Sequence, residues 1–427
     1  MTGGQLGRGV DADPPARGLA TAPVTVPGNL TGLGFDACSA PSQSVMDTMR
    51  TTTPYWGVGV YIGGESRTCG QPNLTRSWVR TQHDKGWRIV PIWAGLQAPR
   101  VNGHGCSDRG FADRMSARNG RATSQGIRAA NRAVAHAREL GIARGSTLFL
   151  DIESYENDLS ACNQPVQHFQ SGWTSRLHRL GWKSGYYSSL KTGIYALDYV
   201  RTQFPGFYQM PDVVWFSVAN GRASLAGSPY LDNRHWASQR MHQYRLHLQR
   251  TYAGETFDLD ENMIAIGRGS VAGHPRGTCG VDLDFTHYRT LLRGDRSAQV
   301  AAAQCLLRRH ALYQGALDGR FDRATAGALG RWQDRVGIPV DRAINAATWA
   351  SLLSAGGAPL VKRGSAGDRV RYLQRALTAA LGKTVPVSGY FSPGTTDAAE
   401  RYQRAVDLPR TGVVTRATWK ALQHGLR

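Results

Sequence analysis

Residues 147–153 read TLFLDIE, an apolar run that predicts a strand and ends on two carboxylates, Asp151 and Glu153. In an extended chain, residues two apart point to the same side, so both acids face one space with Cα atoms roughly 6.5–7 Å apart. Like charges that close, at the mouth of an apolar strand, push one pKa upward and leave the other group ionised. An acid and a base flanking a glycosidic bond need that difference. The competing reading is a strand running into a solvated acidic loop, since Glu156 and Asp158 follow at once.

Working outward, short apolar runs predict strands at 33–38, 57–62, 88–95, 148–153, 184–188, 213–218 and 241–244, with a last run ending near 260–264. Helical stretches at 74–85, 123–140, 166–180 and 190–204 fall between them, with Gly141 and Gly181 placed as C-caps. Alternating strands and helices of this number predict an α/β fold, a (β/α)8 TIM-like barrel. An open doubly wound sheet is the rival, weakened because no G-x-G-x-x-G follows the first strand.

In a barrel, the C-terminal strand ends carry the chemistry. Those ends bring up Asp36, Tyr61, Trp93, Asp151 with Glu153, Tyr187, Trp215, Gln243 and Asp260. Asp36, Asp151, Glu153 and Asp260 are the candidate catalytic carboxylates. Tyr61, Trp93, Tyr187, Trp215 and Gln243 are the candidate substrate-binding groups, because rings stack on pyranose faces. Taken singly, Trp93 and Trp215 read more readily as core than as cleft; their place at successive strand ends with the acids favours a site.

At 427 residues the chain exceeds one ordinary core. No stretch reaches the ~18–20 apolar residues of a membrane span. The first thirty residues lack the apolar segment of a secretory signal, so a trimmed chain or another export route, such as lysis, is expected. A net charge of +20 favours polyanions. No Arg-rich helix, zinc-finger spacing or RNA-binding signature accompanies it, which argues against nucleic acid and for an anionic envelope polymer. The 12 His include no H-E-x-x-H, which argues against a zinc peptidase; neither metal nor cofactor is expected. Six cysteines without C-x-x-C fit disulfides in an oxidising compartment. Many pairings are possible; the sequential one, Cys38–Cys69, Cys106–Cys162 and Cys279–Cys305, is the expectation, its last bond joining barrel to C-terminal region.

After Cys279 the chain repeats itself without a gap. Val300, Gln304 and Leu307 match Val370, Gln374 and Leu377; Gly319-x-Phe321 matches Gly389-x-Phe391. Thr325, Ala328, Gln333, Thr348-Trp349 and Leu352 match Thr395, Ala398, Gln403, Thr418-Trp419 and Leu422. The spacing within each copy is helical, and Gly356-Gly357-Ala358-Pro359 reads as the joint.

These copies resemble type 1 peptidoglycan-binding domains, which implies anchoring on a bacterial wall. The second has Thr411-Gly412 where the first has Asp341-Arg342, predicting a distorted loop in the first. The larger region resembles the glycoside hydrolase-like domain of unknown function 1906, a relative of the family 25 lysozyme-type muramidases. The resemblance rests on Gly34-Phe35-Asp36, Tyr61-Ile62-Gly63-Gly64, Gln71-Pro72-Asn73, Asp151-x-Glu153, His242-Gln243-Tyr244 and the acidic run to Asp260. It implies a peptidoglycan-cleaving glycosidase with Asp36, Asp151, Glu153 and Asp260 in its site. Asp282 is a second candidate for the last-strand acid. The boundaries that follow are a flexible extension at 1–30, a barrel at 31–268, a connector at 269–293, and wall-binding modules at 294–355 and 360–427. A secreted or wall-associated protein partnered by peptidoglycan, and by anionic wall polymers, is expected. The rivals are a non-catalytic wall binder and a lysin of a phage or injection machine.

Overall fold

The computed structural model describes residues 22–107, 110–266 and 279–427. The first half alternates β1 (Leu30–Asp36), α1 (Gln43–Thr52), β2 (Tyr55–Gly63), α2 (Arg76–Asp84) and β3 (Arg88–Ala94). A two-residue ribbon, β4 (Arg100–Val101) with β5 (His104–Gly105), precedes α3 (Asn119–Glu139), β6 (Thr147–Asp151), α4 (Ser160–Arg179) and β7 (Lys183–Ser189). A π-helical turn, Leu190–Ile194, runs into α5 (Tyr195–Gln203), so the helix expected at 190–204 starts with a wider, underwound turn. β8 (Val213–Ser217), β9 (Gln239–Tyr252) and β10 (Glu255–Ile266) complete the region. Caps set the helix starts: Ser42 accepts from the Val45 amide and Thr75 from that of Trp78.

Eight strands close in the order β1-β10-β9-β8-β7-β6-β3-β2. The TIM-like barrel expected from the sequence is present, with one departure. β10 returns from β9 by a hairpin and pairs antiparallel with both β9 and β1. The hairpin forms because Ala253 and Gly254 both take positive φ, 50° and 81°, as a two-residue turn of matching twist requires. β8 and β9 are joined by irregular chain, not by a helix.

Two apolar layers hold the barrel. Leu30, Ile92, Phe149, Trp215, Met241 and Ile264 fill its interior. The outward faces, with Phe35, Val58, Trp93, Leu150 and Ile152, pack under the helices. α3 and α4 touch closely because Gly126 and Gly172 have no side chain; a Cβ on Gly126 would lie 2.0 Å from the Phe169 carbonyl oxygen. Val24 and Val26 are buried in the outer layer, so residues 22–29, assigned by sequence to the flexible extension, are part of the packed barrel.

The C-terminal region is helical: α6 (Ala298–Arg309), α7 (Arg323–Val336), α8 (Ala346–Ser354), then α9 (Asp368–Leu381), α10 (Pro393–Ala405) and α11 (Arg416–Gln423). The matched polar residues are structural. Gln304 donates to the Arg320 carbonyl at 3.0 Å and Gln374 to that of Tyr390 at 2.9 Å. The loop expected to be distorted is not: Gln333 accepts from the Arg342 amide as Gln403 accepts from that of Gly412. Arg342 (φ 56°) adopts the left-handed conformation that Gly412 (φ 65°) takes freely.

Leu283, Tyr288 and Leu291 pack in this helical core, and Trp349 donates to the Arg289 carbonyl. Residues 279–293, placed by sequence in the connector, are therefore packed into the helical region, and they touch the second module as well, where Arg375 donates to Asp284 at 2.5 Å and Thr384 to the Thr286 carbonyl at 2.7 Å. All three expected disulfides are present. The Cys279–Cys305 bond thus closes the first module onto its own N-terminal segment; it does not join barrel to module.

The second module is seated on the base of the barrel. Lys362, fully buried, donates to the carbonyls of Arg50 (2.8 Å) and Thr53 (3.0 Å) and lies over the Trp56 and Trp87 rings. Tyr390 donates to the Thr31 carbonyl at 3.3 Å. These contacts involve the starts of β1 and β2, the end opposite the barrel mouth.

Candidate active site

Asp36 ends β1, where the antiparallel register sets it opposite Asp260 and the parallel register sets it beside Gly59. A Cβ on Gly59 would lie 2.5 Å from that of Asp36, so only glycine leaves room for the carboxylate there. Because β10 runs antiparallel, Asp260 lies within its strand and not at a C-terminal end. The β9–β10 register shifts between Leu259 and Glu261, a bulge that takes Asp260 out of the ladder. Its Oδ1 accepts from the His247 amide at 2.7 Å. Asp282 is exposed beside Leu283 in the helical core, so the last-strand carboxylate is Asp260.

The acids are linked by amides. Gln243 Nε2 donates to Asp36 Oδ2 at 3.1 Å and to Asp260 Oδ2 at 3.0 Å. Tyr187 donates to Gln243 Oε1 at 2.7 Å, which fixes the amide orientation. Asn262 Nδ2 donates to Asp36 Oδ2 at 2.6 Å and is itself oriented by Trp215 Nε1 at 2.8 Å. Burial is the largest influence on Asp36 and the Asp260 charge the next; they push its pKa up to about 8 against the lowering pull of the two amides. Burial also raises Asp260.

The β6 ladder stops at Asp151, so Glu153 lies beyond the strand. The chain nonetheless stays aligned: Ile152 donates to the Tyr187 carbonyl, and the Glu153 amide donates to Gln97 Oε1 at 2.8 Å. Ile152 is buried in the outer layer while Asp151 and Glu153 line a cavity of about 200 Å3, so the same-side geometry holds past the strand end. Tyr61, Gln97, Phe111 and the Cys38–Cys69 bond line the same cavity. The Tyr61 phenol is raised well above its usual pKa by burial first, then by the charges of Asp151 and Asp36, with Glu153 contributing. Tyr187 is raised by burial and by Glu153, Asp151 and Asp36. Asp151, Glu153 and Tyr61 thus line one cavity, and the charges of Asp36, Asp151 and Glu153 act on both tyrosine phenols.

Two sequence candidates fall elsewhere. Trp93 is fully buried in the outer layer, edge-on to His136 with Arg132 over its ring, because β3 turns that side chain toward α3. Trp215 is buried in the barrel interior against Phe149 and Tyr187 and serves as a support for Asn262. Neither presents a face to a sugar. Asn262 and Gln97 were not foreseen. Asn262 was reachable by the alternation applied to Asp151 and Glu153, since it follows Asp260 by two on one strand. Gln97 sits in a loop and carries no such signal. Among the described residues, His247, Asp258 and Asp260 bring potential cation ligands within 4.8 Å of one another.

Residues 296–352 and 366–422 match PG_binding_1, the peptidoglycan binding domain family. The barrel is similar in fold to an uncharacterized protein of B. stearothermophilus, at 19% identity over 54% of this chain and 94% of that one, TM-score 0.36. It is also similar to the Tat-secreted protein Rv2525c of Mycobacterium tuberculosis, at 15% identity over 56% and 96%, TM-score 0.36. A family 25 glycosyl hydrolase of Bacillus anthracis matches at 11% identity over 55% and 89%, TM-score 0.32. No curated protein matches the chain. Residues 47–264, just over half of the chain, match the glycoside hydrolase-like domain family named Rv2525c-like, and the protein belongs to that family, its barrel followed by two domains of the peptidoglycan-binding type.

Proposed function

We propose that the barrel hydrolyses glycosidic bonds of peptidoglycan in the manner of a muramidase, held to its substrate by the C-terminal modules. The observation that carries this reading is the buried Asp36 carboxyl, set against Asp260 and within the field of Glu153. A carboxyl that keeps its proton near neutral pH, beside others in a different environment, is the arrangement glycoside cleavage uses. Glu153, at the rim of the cavity, protonates the leaving oxygen. Asp151 stabilises positive charge developing on the sugar. The neutral Asp36 carboxyl supplies a hydrogen-bond donor to the substrate acetamide, and Gln243 and Asn262 hold it in place. Tyr61 and Tyr187 shape the subsite.

Incubation with purified peptidoglycan, followed by mass identification of new reducing ends, tests this. Glu153→Gln and Asp36→Asn should each suppress their release. A second reading, a glycan binder without turnover, is favoured by the mouth itself. At about 200 Å3 the cavity is smaller than the ~300–1,000 Å3 usual for ligand sites. No new reducing ends, with binding retained, would establish that reading instead.

A further inference from the structure

A groove of about 680 Å3 lies on the flank of the barrel, away from the mouth, between the N-terminal half of α4 and α5. One wall is aromatic. Tyr195, Tyr199, Phe204 and Phe207 line it at 41%, 50%, 50% and 67% exposure, half of the large apolar side chains exposed among the described residues. Phe207 and Tyr208 meet edge to face at 4.8 Å, which braces the outermost ring. Large apolar groups gathered on one strip of surface, when the rest of the surface is nearly free of them, mark a binding face.

The other wall is made of carboxamides. Asn163 and Gln164 stand along α4, and Gln164 accepts from Asn119 at 3.0 Å. Gln167, at 1% exposure, lies among the lining residues; its amide nitrogen donates to Tyr155 and Asn163, and its Oε1 has no hydrogen-bond partner. Asp158 is the one charged carboxylate of the lining, and no Lys or Arg contributes. Despite the +20 charge of the chain, this groove therefore does not select a polyanion.

We propose that the α4–α5 groove is a second glycan-binding site, for an uncharged oligosaccharide bearing acetamido groups. Exposed rings offer flat apolar faces to pyranose rings, and side-chain amides pair with hydroxyl and acetamido groups. The absence of basic lining, together with Asp158, disfavours sugars carrying a free carboxylate. The groove connects with the acidic loop: Tyr155, two residues beyond Glu153, is held by Asn163 at 3.0 Å. A glycan lying along the flank thus reaches chain that continues to the mouth. The proposal rests on the lining chemistry and stands whether or not the mouth turns over.

The test uses the full chain with N-acetylchitotetraose, followed by hydrogen–deuterium exchange and titration calorimetry. Added glycan should protect peptides covering 157–168 and 195–208. The double variant Tyr199→Ala/Phe207→Ala, both side chains exposed, should lose that protection and bind about tenfold or more weakly. Leu292→Ala, an exposed side chain outside both barrel sites, should keep both. Protection confined to the mouth, protection confined to the C-terminal modules, no binding by the wild-type chain, or unchanged affinity in the double variant would each overturn the assignment. Release of reducing ends is scored separately, so loss of turnover and loss of groove binding remain distinguishable.

Discussion

Asp36 and Asp260 face each other across the β1–β10 ladder and share one hydrogen-bond donor, the amide nitrogen of Gln243, at 3.1 and 3.0 Å. Amide donors favour the ionised carboxylate, whereas burial and a facing carboxylate oppose it. Here burial prevails, and Asp36 holds its proton up to about pH 8.

Asp36 makes stability decline with rising pH. Its folded pKa is raised from 3.8 to about 8, so between these values the folded chain binds a proton that the unfolded chain has lost. That contribution is complete below pH 3.8 and is lost as pH rises through about 8, with a slope of at most about 1.4 kcal/mol per pH unit. Asp36→Asn removes the proton and should flatten the decline. Denaturant unfolding at pH 5 and pH 8 measures it; parallel profiles for both proteins would refute the assignment.

Glu153→Gln should lower glycan cleavage by about 10²–10⁴-fold while leaving the fold and wall binding intact, because the amide cannot donate a proton as an acid does. Trp215→Phe removes the donor that orients Asn262 and leaves a buried oxygen open, at about 1–3 kcal/mol. Turnover in that variant should fall less than in Glu153→Gln. Reducing-end assays at matched folded fractions separate the two effects.

The packed C-terminal unit includes Cys279 and the segment after it. A fragment covering 279–427 should fold and pellet with insoluble peptidoglycan. A fragment covering 291–427 loses buried Leu283 and Tyr288 and should be less stable by roughly 3–5 kcal/mol or more. Circular dichroism melts of both fragments decide this, and equal melting would place the boundary back at 291.

Lys362→Ala should uncouple module from barrel. The side chain gives two hydrogen bonds to backbone carbonyls and stands over two indole rings across the joint, while burial, and then the nearby Arg50 charge, pushes the pKa of its ammonium well down and offsets part of that gain. Calorimetry should then resolve separate transitions for barrel and modules; a single unchanged transition would show that the joint does not depend on Lys362.

Arg342→Gly should stabilise the first module by about 0.5–1 kcal/mol. The left-handed strain disappears, and part of the gain is offset by glycine's greater freedom when unfolded. An unchanged or lowered midpoint in urea would show that the Arg342 side chain contributes more than the strain removes.

Much of this protein was legible in its sequence, because local periodicity is written residue by residue. The TLFLDIE run was sufficient for a strand ending at Asp151 with Glu153 on the same side just beyond it, and the gap-free repeat was sufficient for two modules of one fold. The six cysteines pair in sequence order. Three things depended on tertiary structure. Which face of β3 and β8 meets the sheet's other side determined that Trp93 and Trp215 are packing residues, since the alternation of a strand buried on both faces does not distinguish inside from outside. The antiparallel return of β10 and its bulge set Asp260 opposite Asp36, which requires knowing the strand's direction. The proton on Asp36 follows from burial and a facing charge, and that charge and both amide partners come from parts of the chain more than two hundred residues away.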